Sequence, residues 1–95
     1  MSAGNGGAGT ASPSSQAYQD AMMKMHRAMD VPLSGNADRD FVTGMIAHHQ
    51  GAIDMASVEL RYGKDQQMRH LAQSIITAQQ QEIIKMRAWL AKHPG

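Results

Sequence analysis

The sequence predicts an all-α fold: an antiparallel helical hairpin preceded by a short N-terminal helix, with a four-helix bundle completed by dimerisation. Three observations lead there. Gly and Pro residues cut the chain into three stretches whose apolar residues recur at helical spacing. The connection between the second and third stretches is so short that it forces a reversal. The apolar stripes on those two stretches are too wide for a single hairpin to cover.

The opening residues 1–13 are rich in Gly, Ser and Ala, have nothing to bury, and read as a flexible leader to a single helical domain over 14–95. Ser14 or Ser15 is the expected cap of the first helix. It should run to about Met29, where the Pro and Gly of Asp30-Val31-Pro32-Leu33-Ser34-Gly35 stop it. Asn36 or Asp38 then opens a second helix to about Tyr62, with acidic residues in the first turn, where the helix dipole favours them. Gly63 is its stop. Asp65 caps a third helix that meets no Gly or Pro until His93-Pro94-Gly95.

On the second helix Val42, Met45, Ile46, His49, Ala52, Ile53, Ala56 and Leu60 share one face. On the third the face is Met68, Ala72, Ile75, Ile76, Gln79, Ile83, Met86 and Leu90, with Trp89 beside it. Either the first helix or a second copy must cover what this hairpin leaves open, and the expectation is a homodimer.

Composition narrows the chemistry. Nine Lys and Arg against eight Asp and Glu give a net charge of +1, which builds no strong field for nucleic acid or anionic lipid. No apolar run is long enough to cross a bilayer, so no membrane insertion is expected. The absence of cysteine removes thiolate zinc, iron–sulfur and disulfide schemes and suits an oxidising compartment. What remains is unusual: nine methionines and five histidines in 95 residues.

These residues group. Met22, Met25, His26 and Met29 fall at i, i+3, i+4 and i+7, which sets three thioethers and an imidazole on one helical face, with Tyr18 a turn earlier. Thioethers are soft and neutral, so they select Cu(I) or Ag(I) over hard ions. The plainer reading of such a stripe is adaptable core packing. In the second helix, Met45, His48, His49 and Met55 form another group, with His49 inside the apolar face and His48 toward its edge. A buried imidazole needs either a hydrogen-bond partner or a metal. Gln79 and Glu82 of the third helix, with Met86 one turn beyond Glu82, can hydrogen-bond those imidazoles across the hairpin and fix their orientation. His70 and His93 are read as facing solvent.

The run Asp40-Phe41-Val42-Thr43-Gly44-Met45-Ile46-Ala47-His48-His49-Gln50-Gly51-Ala52-Ile53-Asp54-Met55-Ala56, with Ile76-Thr77-Ala78-Gln79-Gln80-Gln81-Glu82-Ile83-Ile84-Lys85-Met86-Arg87-Ala88-Trp89-Leu90, resembles the bacterial family called domain of unknown function 305. The resemblance covers most of residues 36–92. It implies a ferritin-like hairpin that pairs with another, and secretion to the periplasm or cell exterior, the signal sequence being absent from this stretch. In some members it implies copper or silver binding linked to metal tolerance. By the same resemblance the His-His motif maps onto His48 and His49, and the Met–His pattern onto Met22, Met25, His26 and Met29.

The leading expectation is therefore a non-catalytic copper-binding protein, favouring Cu(I) with Cu(II) or Ag(I) as alternatives, that sequesters the ion or hands it to an efflux pump or chaperone. The alternative is an all-α dimeric interaction module whose Met and His merely pack. A di-iron enzyme comes third. Glu59 and Glu82 are the only glutamates and neither has a His three residues on, so the ligand set of a ferritin-like di-iron site is incomplete.

Overall fold

The computed structural model describes residues 12–94, which form three α-helices: α1 (Pro13–Met29), α2 (Ala37–Tyr62) and α3 (Gln66–Lys92). The cap of α1 lies earlier than Ser14 or Ser15. Ser12 accepts from the Ser15 backbone N–H at 3.1 Å, and Pro13 takes the first helical position. Proline suits that place because its φ is already helical and it has no N–H to leave unpaired. Of the expected leader, Ser12 and Pro13 thus belong to the helix, and residues 1–11 lie outside the described residues.

Between α1 and α2 the chain turns at Gly35, whose φ of 87° suits glycine. The backbone N–H and hydroxyl of Ser34 both donate to Asp40 at 2.8 Å. Those bonds hold the Asp40 carboxyl below the usual carboxylate range, the backbone donor contributing most. Asn36 caps α2 and Asp65 caps α3, as expected from the sequence.

The hairpin helices also cap each other. Arg69 of α3 donates to the carbonyls of Leu60 (2.6 Å) and Gly63 (3.1 Å) at the end of α2. Arg39 of α2 donates to the His93 carbonyl at 2.7 Å, at the end of α3. Both guanidiniums thus meet carbonyls that have no partner within their own helix.

Helix α2 is the middle of the fold: α1 packs on it and α3 packs on it, while the backbones of α1 and α3 stay apart among the described residues. Helical phase divides the buried residues of α2 into two opposite sets. Val42, His49 and Ala56 face α3, while Ala47, Gly51 and Val58 face α1. The single wide stripe expected from the sequence accounts for only the first set. The second is made of small residues, which let α1 approach closely. Side by side, the helices form a thin layer with principal extents of 52 × 28 × 15 Å. None of the described side chains is wholly withdrawn from water.

The two surfaces of this layer differ. One carries Lys24, paired with Asp54 at 3.5 Å, and Gln50, which donates to Asp54. On the other, Tyr18, Ala52, Met55, Met68, Leu71 and Ile75 line an apolar groove. No helix among the described residues is long and apolar enough to cross a membrane.

Candidate functional site

His49 sits in the α2–α3 contact with 9% of its side chain exposed, and its Nε2 lies 2.6 Å from Oε1 of Glu82, which is 59% exposed. The separation is that of a charge-assisted hydrogen bond, with Nε2–H donating to the carboxylate. This bond fixes the ring. Nδ1 is buried and has no hydrogen-bond partner, so in the neutral imidazole its lone pair is left without a proton donor. A carboxylate on one ring nitrogen and a free lone pair on the other is the arrangement in which histidines bind metals.

Two thioethers share this place. Met45, His49, Glu82 and Met86 line one groove of about 310 Å³ together with Phe41 and Lys85. Phe41 and Lys85 were not singled out in the sequence. Phe41 could have been found there, as an apolar residue one turn before Met45 on the same side of α2. Gln79, expected to reach a histidine, makes no such bond. The antiparallel register that sets His49 opposite Glu82 sets Gln79 opposite Ala52, a turn away.

The other candidate residues lie elsewhere. His48 precedes His49 by one residue, hence lies about 100° around the helix from it, and is exposed. Met55 lines the apolar groove with Tyr18 and Met68. On α1 the expected quartet splits: Met22, His26 and Met29 are exposed, whereas Met25 is packed over Gly51. Met29 also lines a hollow with Val31, Leu33 and Asp40 beside the first loop. The candidate set thus occupies four places: the His49 groove, the open side of α2, the rim of α1, and the α1–α2 contact that holds Met25.

His70 is exposed, as expected. His93 is exposed but ordered: its ring stacks on Trp89 with centroids 4.1 Å apart, and its Nδ1 hydrogen-bonds the Trp89 carbonyl at 2.8 Å. Among the described residues no three His, Asp or Glu side chains gather in one place, so the carboxylate cage of a di-iron centre is not assembled within one chain.

Comparison with known proteins adds a relative and a family. The chain is 40% identical over 53 residues to the uncharacterized protein L153 of Acanthamoeba polyphaga mimivirus. That stretch is 56% of this chain and 35% of the viral protein, so the chain spans about a third of the relative it matches. The sequence profile described as Domain of unknown function (DUF305) matches residues 2–90. A match over nearly the whole chain, taking in all of α1 and α2 and most of α3, places this protein in the DUF305 family.

Proposed function

We propose that this protein binds a soft metal ion, Cu(I) in preference to Ag(I) or Cu(II), and sequesters it or passes it to a pump or chaperone in the periplasm or outside the cell. The observation that carries this reading is the His49 ring. Glu82 holds its Nε2, its buried Nδ1 is left with a lone pair, and the thioethers of Met45 and Met86 line the same groove. Imidazole and thioether donors are neutral and soft, which favours Cu(I) and rejects Mg²⁺ and Ca²⁺. The exposed Met22, His26 and Met29 offer a weaker, more accessible set through which an ion could enter or leave. The reading assigns the protein no catalytic step.

Competition with a Cu(I)-specific chelator tests it. The wild type should retain Cu(I) at chelator concentrations that strip His49→Ala, with affinity at least roughly tenfold apart. Equal stripping of both proteins would overturn the assignment.

A second reading has its own support: Glu82 already satisfies one nitrogen of His49, and the candidate Met residues are divided among four places. On this reading the protein is an all-α interaction module and the soft side chains only pack. It predicts a wild type that gains no thermal stability from Cu(I).

A further inference from the structure

Helix α1 rests on α2, and it rests there on little. Its buried residue is Ala21, and Met25, one turn on, is half-buried against α2. The Met25 thioether fills the space that a side chain at Gly51 would need. The ion pair between the two helices, Lys24 with Asp54 at 3.5 Å, leaves Lys24 68% exposed and is worth little there. The hairpin does not depend on this contact, since α2 and α3 are joined by His49 with Glu82 and by the two capping arginines. The seating of α1 therefore turns on one thioether.

A thioether is also a reactive group. The chain has nine methionines and no cysteine, so a two-electron oxidant such as hydrogen peroxide meets thioethers and no thiol. Peroxide passes one oxygen atom to sulfur: an S–O bond forms, the O–O bond breaks, the sulfur loses two electrons and water leaves. The product is a sulfoxide, polar and larger than the thioether. At Met25 its oxygen has neither room nor a donor on the Gly51 side, because the backbone N–H groups of α2 around Gly51 are spent within the helix. The sulfoxide reaches water only if α1 lifts.

We propose that Met25 is a reversible oxidation switch: sulfoxide formation there releases α1 from α2 and leaves the α2–α3 hairpin folded. Release uncovers the Ala47, Gly51 and Val58 side of α2, and α1, 17 residues long and without its packing, becomes a marginal helix. Met22, Met23 and Met29, which are 41%, 55% and 43% exposed, stand within four residues of Met25. Being more open, they react first, and the oxygen each gains is hydrated, so they set the dose at which the switch trips. Reduction by a dithiol-dependent methionine sulfoxide reductase returns the thioether, the oxygen leaving as water and the dithiol becoming a disulfide. The switch needs no bound metal, so it stands apart from the soft-metal reading.

The test treats the full-length protein with increasing hydrogen peroxide, locates sulfoxides by peptide mass spectrometry, and follows backbone hydrogen exchange in α1 and in the hairpin. Oxidation of Met22, Met23 and Met29 should leave α1 protected. Exchange in α1 should rise at least roughly tenfold in step with the Met25 sulfoxide, while the hairpin around His49 and Glu82 keeps its protection. Reductase with dithiothreitol should restore α1. Met25→Leu, which nearly conserves volume, should hold α1 protected at the same dose with the other methionines oxidised. Met25→Gln, which puts a polar group in the same place, should release α1 with no peroxide. Complete conversion of Met25 with α1 still protected overturns the switch. So does release of α1 at the same dose in Met25→Leu, or melting of the hairpin before Met25 reacts.

Discussion

The sulfur and Cγ of Met25 lie within clash distance of the point where a β-carbon at Gly51 would stand, and the Met25 Cβ is close to it as well. Glycine is needed here for close approach, since the position is helical. Met25 is accordingly the residue that seats α1 on α2, and its thioether is engaged in packing where the sequence suggested a ligand.

Gly51→Ala should lower stability by about 1–3 kcal/mol, because overpacking a fixed helix contact outweighs the better helix propensity of alanine. Adding Met25→Ala should recover part of the loss. Chemical denaturation of both single variants and the double variant measures the coupling. A rise in melting temperature for Gly51→Ala alone would contradict the contact.

His49→Ala removes a buried ring and leaves Glu82 without its partner, so apo stability should fall by about 1–3 kcal/mol. The copper-induced rise in melting temperature should disappear with it. Glu82→Gln keeps an acceptor near Nε2 but removes the charge, and should weaken Cu(I) binding roughly tenfold with a smaller change in apo melting. Should His49→Ala lose stability yet keep the whole copper-induced shift, His49 is a packing residue.

Replacing Met22, His26 and Met29 together by alanine should change stability little, within about 0.5 kcal/mol per site, as expected of exposed helical positions. Metal analysis should show less Cu(I) bound to this variant. His70→Ala, on the outer side of α3, serves as the control and should match the wild type in both respects. Full copper loading of the triple variant would remove α1 from the metal-binding surface.

The first loop carries a pH dependence of defined sign. The Asp40 carboxyl is held below its ordinary value of 3.8 by the Ser34 donors. A group depressed in the folded state stabilises it above the unfolded pKa and loses that contribution as pH falls through the folded one. The Ser34–Asp40 clamp should therefore be intact from neutral pH to about pH 4 and open below. NMR titration of the Asp40 carboxyl checks this, and Asp40→Asn should remove the transition while leaving the hairpin folded. A midpoint above 3.8 would contradict the clamp.

Much of the fold was legible because its signals are local. Asn36, Asp65 and Gly63 stand where caps and a stop must stand, and helical phase put His49 in the apolar face where it is found. The N-terminal cap was misplaced because Pro13 reads as a breaker, although it is also the residue best suited to a first helical position. The second buried face of α2 was missed for a different reason. On that side Val58 is the one large apolar residue beside Ala47 and Gly51, too little to register as a stripe, and the missing side chain of Gly51 is what lets α1 come close. The Glu82 partnership with His49 could be anticipated from phase on two helices, whereas the failure of Gln79 depends on axial register, which no single helix specifies. For the same reason the division of the Met and His residues among four places appears only once the helices are set side by side.

The two arginines that cap the hairpin also give its assembly an order. Arg69 reaches Leu60 across nine residues, while Arg39 reaches His93 across 54. The first contact closes a short loop at little entropic cost and can form with the turn itself; the second must wait until the full lengths of α2 and α3 are aligned. On loop length alone the hairpin is expected to zip from Gly63 outward, with the Arg39–His93 fastening last to close and first to open. Fraying should therefore begin at that end, beside Phe41, with the turn at Gly63 keeping the register from which the helices close again.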